Sequence, residues 1–143
     1  MIYKTADIGL LIFRITVSSS LAFGHGLGKF QKFMSGNEIK FMNFLGLGET
    51  FSFFLAMAAE FFCSLLILTG LFTRINSIFI IITMMIAAFV THAADPFGRK
   101  EKALLYMFSY ILLFFTGPGK YSFQKLANKN FEKLSGFLKF ILG

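Results

Sequence analysis

The chain has 143 residues, of which 56% are hydrophobic and 15% are charged, and its mean hydropathy is +0.71. A small soluble domain cannot bury so much apolar surface, so this composition excludes a disordered chain and argues against a soluble globule. The formal net charge is +7, but the basic residues lie mostly between and after apolar segments, which favours contact with anionic lipid over nucleic-acid binding.

Four apolar segments predict four membrane-spanning helices, at about residues 7–30, 51–72, 75–92 and 100–116. A helix needs about 20 residues to cross about 30 Å of hydrocarbon. The first segment shares a charged start with secretory signal peptides, but it lacks a convincing cleavage site, so we interpret it as an uncleaved helix. Stretches of the later segments are apolar on all sides, which argues against the alternative of a soluble four-helix bundle with polar stripes.

Two parts of the chain lie outside the predicted spans. The loop before the second helix carries an apolar patch at 41–47, which we expect to lie at the membrane interface or to dip back into the bilayer. After the Gly-Pro-Gly sequence at 117–119, which ends the fourth helix, residues 123–143 predict a basic amphipathic helix on the membrane surface, with a solvated helix as the alternative. Its apolar residues follow helical spacing, and another face has a lysine every four residues, at Lys125, Lys129 and Lys133.

The expected fold is therefore all-α, with a transmembrane four-helix bundle over residues 1–122 and a C-terminal amphipathic surface helix. Four crossings put both termini on one side with seven basic residues and leave six on the other side. Since the tail helix needs anionic cytoplasmic lipid, we expect both termini in the cytoplasm and the chain in the cytoplasmic, or inner, membrane. The expected partners are the bilayer, anionic lipid at the basic tail, and either another protein or a second copy of the chain.

Two charged residues lie inside the spans, where a buried ionisable group costs at least ~2.5–3.5 kcal/mol on insertion scales. At ~1.5 Å per residue, Arg14 lies about 9 Å and Glu60 about 18 Å from the end of the bundle that holds the termini. Long side chains can bridge much of that difference between adjacent helices, so we expect a structural ion pair. The alternatives are a functional site, or separate roles in which Arg14 reaches the membrane surface and Glu60 is protonated or bonded to a hydroxyl.

A second group of polar residues is expected at the opposite end of the bundle. The first and third helices run in the same direction, which brings His25 and His92 to that end, together with Lys29 and Glu101. Two histidines and a glutamate could bind a metal ion, but no local ligand motif is present, so we predict no metal site. Proton exchange with a bound cofactor fits better, because histidine titrates near neutral pH.

Several of these residues stand in short motifs whose order and spacing are distinctive. The motifs are Arg14, His25-Gly26-x-x-Lys29, Ala59-Glu60, Thr69-Gly70-Leu71-Phe72-Thr73-Arg74, His92, Glu101-x-Ala103-Leu104-Leu105-Tyr106 and Thr116-Gly117-Pro118-Gly119-Lys120-Tyr121-Ser122. Over roughly residues 7–122, this set resembles the DoxX family of small four-helix membrane proteins. The chain departs from the family where Phe61-Phe62-Cys63-Ser64 replaces a small glycine pair and where Phe123-Gln124 replaces an acidic residue.

The resemblance implies a bundle in the cytoplasmic membrane and an association with redox chemistry. Relatives are described as the membrane subunit of a thiosulfate:quinone oxidoreductase, or as membrane partners of superoxide dismutase and a sulfurtransferase. We therefore expect a membrane subunit of a quinone-linked redox system, accessory to a quinone-dependent oxidoreductase. The alternative is a non-catalytic scaffold that assembles or anchors a partner protein.

The expected quinone site lies at the end of the bundle opposite to the termini, where phenylalanine-rich helices would supply an apolar slot for the quinone tail. The candidates for proton exchange are His25, His92 and Glu101. The candidates for holding the quinone are Lys29, Glu60 and Tyr106. The chain has one cysteine, Cys63, with no haem-attachment motif and no flavin fingerprint, so the sequence shows no redox centre of its own.

Overall fold

The computed structural model describes residues 2–127, Gly136 and Phe140, and within this part of the chain every regular element is helical. Four long helices form a bundle: α1 over residues 2–34, α2 over Glu49–Thr69, α3 over Thr73–Thr91 and α4 over Phe97–Thr116. A short helix, α5, follows at Phe123–Ala127. The all-α fold class is confirmed, while most of the predicted tail helix, with Lys129 and Lys133, lies outside the described residues.

Three of the helices, α1 to α3, are long and apolar enough to cross a membrane. Helix α4 has 20 residues, and its first turns contain a run of four charged residues at 99–102, whose long side chains suit the membrane surface. Large apolar side chains cover the outside of the bundle, including Phe79, Phe108 and Phe115, which are 53–69% exposed. Such an outer surface suits lipid, in which apolar side chains need no burial.

The core between the helices is mainly apolar, and the polar side chains buried within it include several hydroxyl groups. Side chains with no exposed surface come from all four long helices, at Leu21, Ile67, Ile80 and Leu113. Tyr110 is also fully buried, and its hydroxyl lies 3.4 Å from that of Ser64 and 3.5 Å from that of Ser18. These contacts join α1, α2 and α4 where no bulk water can satisfy a polar group.

Arg14 connects several elements at the end of the bundle that holds the N-terminal half of α1. The guanidinium of this buried side chain donates hydrogen bonds to the carbonyl oxygens of Pro118 and Tyr121, in the turn after α4. Gly70 ends α2 in the left-handed conformation (φ +78°), and a Cβ there would lie 2.9 Å from Arg14 Nη1. The glycine therefore leaves room for the arginine, and together they bring α1, the end of α2 and the Gly-Pro-Gly turn to one place.

Three helices contain a π-helical turn in the other half of the bundle, at Ala22–Gly26 in α1, Ala58–Cys63 in α2 and Ala87–Thr91 in α3. A π turn accommodates one residue more than an α-helical turn, and such turns are frequent at functional sites. The sequence motifs with His25, Glu60 and His92 all fall in or beside these turns.

Candidate functional site

The site is built on a close crossing of α1 and α2. A Cβ added to Gly26 would lie 2.6 Å from the carbonyl oxygen of Glu60 and 2.7 Å from the Cα of Phe61. Only glycine permits this approach, because the obstructing atoms belong to the backbone and cannot rotate away. The crossing places the backbone of Glu60, in α2, beside Gly26 of α1. A side chain three or four positions after Gly26, about one helical turn further along α1, can therefore reach the Glu60 carboxylate.

Lys29 occupies that position and forms an ion pair with Glu60, whose carboxylate accepts a hydrogen bond from the lysine ammonium. Glu60 is 6% exposed, and the Lys29 side chain is 24% exposed. The pair is therefore largely shielded from solvent, and each charge depends on the other for compensation.

The predicted ion pair between Arg14 and Glu60 is corrected by this geometry. Arg14 precedes Gly26 by twelve residues, which corresponds to about 18 Å along a helix. Neither side chain can span that distance, and among the described residues Arg14 bonds to the carbonyls of Pro118 and Tyr121, while Glu60 bonds to Lys29.

A cavity of about 590 Å³ lies beside this ion pair, between α2 and α3. Its lining is mainly apolar, and the polar side chains on its wall are Lys29, Ser52, Glu60, Thr83, Thr91 and His92, with the thiol of Cys63. Leu55, Phe79 and Ile82 also line it and are 43–53% exposed. Since these three residues lie on the outer surface of the bundle, the cavity opens sideways towards the position of the lipid.

The loop over residues 35–48 closes the cavity at the end of the bundle. The Phe41 N–H donates to the Glu49 carboxylate (3.1 Å), and the Thr91 hydroxyl donates to the sulfur of Met42 (3.1 Å). Phe41 and Met42 line the cavity, whereas Leu45, at the tip of the loop, is 81% exposed. The apolar patch predicted at 41–47 thus divides between the cavity and the outer surface.

His92 lies at this end of the cavity, directly after the π turn of α3. Its Nδ1 lies 2.7 Å from the Asp95 carboxylate, which is also 3.7 Å from the Arg99 guanidinium. The hydrogen bond from His92, assisted by the positive charge of Arg99, holds the pKa of Asp95 below its usual value. The ionised carboxylate of Asp95, hydrogen-bonded to Nδ1, fixes the orientation of the His92 ring. The other ring nitrogen, Nε2, can then contact a ligand in the cavity.

The other sequence-predicted site residues lie elsewhere. His25 and Tyr106 line a separate cleft between α1 and α4, where their rings meet edge to face with centroids 5.8 Å apart. Glu101 is exposed on α4 and lines neither space. The structure therefore brings together Lys29, Glu60 and His92, and it separates them from His25, Tyr106 and Glu101.

Cys63 and Met42 are among the cavity residues to which the sequence analysis gave no part in the site. Cys63 follows Glu60 by three residues and lines the same cavity, so the helical spacing of the two residues was a usable signal. Met42, in the loop, had no such signal, because only the folded chain brings it to Thr91.

Comparison with known proteins identifies the family of the chain. Residues 9–93, which include Lys29, Glu60 and His92, match the DoxX family. The chain is 30% identical over 132 residues to "Inner membrane protein YqjF" of Escherichia coli (strain K12), a match covering 88% of this chain and 97% of that protein. It is 33% identical over 115 residues to "Putative oxidoreductase CatD" of Bacillus subtilis (strain 168), covering 80% and 83%. No solved structure matches. The chain is thus a multi-pass membrane protein that belongs to the DoxX family.

Proposed function

We propose that this protein is the membrane subunit of a quinone-linked redox system and that the cavity between α2 and α3 binds the quinone. The observation that carries the proposal is an apolar cavity of about 590 Å³, open towards lipid, with the Lys29–Glu60 pair and His92 on its wall. Small-molecule sites have volumes of roughly 300–1,000 Å³ and combine an apolar lining with a few placed polar groups. A lipid-soluble ligand can enter such a cavity from the side.

The donor groups of the cavity fit a quinone. Quinone carbonyl oxygens only accept hydrogen bonds, and Lys29 can donate one. The Nε2 of His92, whose Nδ1–H donates to Asp95, can donate another when the ring carries both protons. The half-exposed apolar residues at the opening, Leu55, Phe79 and Ile82, can contact a hydrocarbon tail that extends into the bilayer. When bound, a quinone supplies two-electron, two-proton redox chemistry.

The surrounding residues can handle the protons. Asp95 lies in the loop between α3 and α4, and its contact with Nδ1 of His92 links that ring to the membrane surface. Glu60 accepts a hydrogen bond from Lys29 inside the cavity wall, so the pair can hold or release a proton next to a bound ligand.

A partner protein completes the proposed system. The sequence shows no redox centre of its own, so the electrons come from a separate redox protein at the membrane surface. The name of the Bacillus subtilis relative, an oxidoreductase, supports a redox role.

The test is to measure bound quinone in protein extracted from quinone-containing membranes into lipid nanodiscs, by solvent extraction and mass analysis. We expect about one quinone per chain in the wild type, and roughly two- to tenfold weaker quinone binding for His92→Phe, since a hydrogen bond contributes ~0.5–1.5 kcal/mol. Ala56→Phe, which places a large side chain in the cavity, should also remove the quinone. His25→Phe is the matched control, because His25 lies in the other cleft.

Monodisperse elution of each variant establishes that it is folded. An absence of quinone from the wild type, or wild-type occupancy in both His92→Phe and Ala56→Phe, overturns the proposal. The non-catalytic scaffold would then be the leading function, and its test is co-purification of a stoichiometric partner protein with the quinone-free chain.

A further inference from the structure

A second cleft, of about 340 Å³, lies between α1 and α4 and has no residue in common with the proposed quinone cavity. Its lining residues include Val17, Ser20, His25, Lys102, Leu105 and Tyr106. No carboxylate lines it. The chemistry of this cleft is therefore set by one cationic side chain, an imidazole, several hydroxyl groups and two aliphatic side chains.

The donors in this cleft are available to a ligand. Within residues 2–127, Gly136 and Phe140, the Lys102 ammonium has neither a hydrogen-bond nor an ion-pair partner, and His25 has only the ring contact with Tyr106. By contrast, the neighbouring Lys100 donates to the Ala93 carbonyl. An anion placed between Lys102 and His25 would satisfy both donors and balance the positive charge.

Polarity changes in steps along the cleft. Lys102 and His25 lie towards the end of the bundle, and the hydroxyls of Ser20 and Tyr106 share a 2.7 Å hydrogen bond about one helical turn deeper. Val17 lies deeper still, beside the hydroxyl of Ser109, and Leu105 is 62% exposed along the side of the cleft. A phospholipid has the same order of groups, with a charged phosphate, then polar ester groups, then acyl chains.

The surroundings also favour lipid over a soluble anion or a peptide. The cleft faces sideways from α1, within the stretch that is long and apolar enough to cross a membrane. Gly24 lines the cleft, and a Cβ added there would meet no atom within 4 Å, so the backbone of α1 is open to a ligand.

We propose that this cleft binds an anionic phospholipid, with its phosphate between Lys102 and His25 and its ester region against the Ser20–Tyr106 hydroxyl pair. The lipid belongs to the leaflet at the His92 end of the bundle, which is opposite to the end that holds Arg14. This site is independent of quinone binding.

The experiment is native mass spectrometry of the detergent-solubilised full chain, titrated with phosphatidylglycerol or with zwitterionic phosphatidylcholine. We expect preferential binding of phosphatidylglycerol, and roughly fivefold weaker apparent affinity for Lys102→Gln, the effect of one cationic contact near a membrane surface. Lys40→Gln is the matched control, because Lys40 is an exposed lysine of the loop and lies outside the cleft.

A second pair of variants tests the location without changing charge. Gly24→Leu fills the cleft and should abolish the tightest phosphatidylglycerol adduct. Gly28→Leu should retain it, because Gly28 is equally open but does not line the cleft. Any lipid held elsewhere on the chain is common to all variants and cancels in the comparison.

Three results contradict the proposal: equal binding of the two lipids, equal behaviour of Gly24→Leu and Gly28→Leu, or displacement of the lipid by millimolar inorganic phosphate. The last result would assign the cleft to a free anion. Quinone occupancy should be unchanged in all of these variants, so the outcome is independent of the quinone measurement.

Discussion

The close crossing at Gly26 provides the sharpest test of how the bundle positions its site. In Gly26→Ala, the new Cβ would lie 2.6–2.7 Å from backbone atoms of Glu60 and Phe61, whereas ordinary contact begins near 3.4 Å. Helix α1 must therefore move away from α2 by nearly 1 Å. Overpacking of this kind costs about 1–3 kcal/mol.

Gly28→Ala is the matched control, because the Cβ added there meets no atom within 4 Å. In an open helical position, alanine is more stable than glycine by about 0.5–1 kcal/mol. Because this gain is common to both helical positions, the two variants should differ by the overpacking cost of about 1–3 kcal/mol, which corresponds to roughly 4–12 °C in melting temperature for a chain of this length.

Thermal unfolding of the purified protein in one detergent, followed by the loss of the monodisperse peak, measures this difference. Gly26→Ala should also bind less quinone, since moving α1 withdraws Lys29 from Glu60. If Gly26→Ala melts within about 2 °C of Gly28→Ala, the crossing is not constrained by the missing side chain, and the stated reason for the position of Lys29 fails.

The remaining predictions concern charged groups. Lys29→Met should destabilise the fold by about 3–5 kcal/mol because it strands a buried carboxylate, and adding Glu60→Gln should recover part of this loss; full additivity in thermal unfolding would contradict the pairing. Arg14→Met and Glu60→Gln should give additive losses, since the two residues have separate partners, and a rescue would contradict the structure. The lowered pKa of Asp95 means that its ionised form stabilises the fold above its ordinary pKa, about 3.9, and that this contribution is lost as the pH falls through the lowered value. Asp95→Asn should therefore melt below the wild type at pH 5 and converge with it in strong acid, and a constant gap down to pH 2 would refute the assignment.

The fold class was predictable because the helices are uniformly apolar and the turns between them carry clear breakers. Gly70 ends α2 in a left-handed conformation, and the Gly-Pro-Gly sequence follows the end of α4. In a membrane protein, long apolar runs determine the number of helices almost independently of how these helices pack.

Helix register was not predictable in the same way. Distances along the helix axes, counted from the ends of the apolar segments, predicted that Arg14 lies close to Glu60. In the structure, the axial position of α1 relative to α2 is set by the contact of Gly26 with the Glu60 backbone. A glycine at a close crossing and a glycine at an open surface position, such as Gly28, look alike in a sequence.

The predicted site residues divide between the cavity and the cleft because neighbouring residues of a helix face in different directions around its axis. His25 and Gly26 are adjacent and therefore point in different directions around α1, so when Gly26 faces α2, His25 faces α4. The sequence predicted both histidines at one end of the bundle. It could not assign them to different faces, because the packed face of α1 becomes known only from the crossing.

The three π turns have a consequence for how the chain can change in length. Each turn already contains one surplus residue, so deleting a residue within Ala22–Gly26 restores an ordinary α-helix and keeps the faces on either side aligned. The same deletion in the middle of α4 would rotate all the following residues by about 100° and turn Tyr110 and Leu113 towards lipid. Natural gains and losses of single residues among homologous bundles should therefore accumulate at these three turns, and alignments of such chains should place their gaps there.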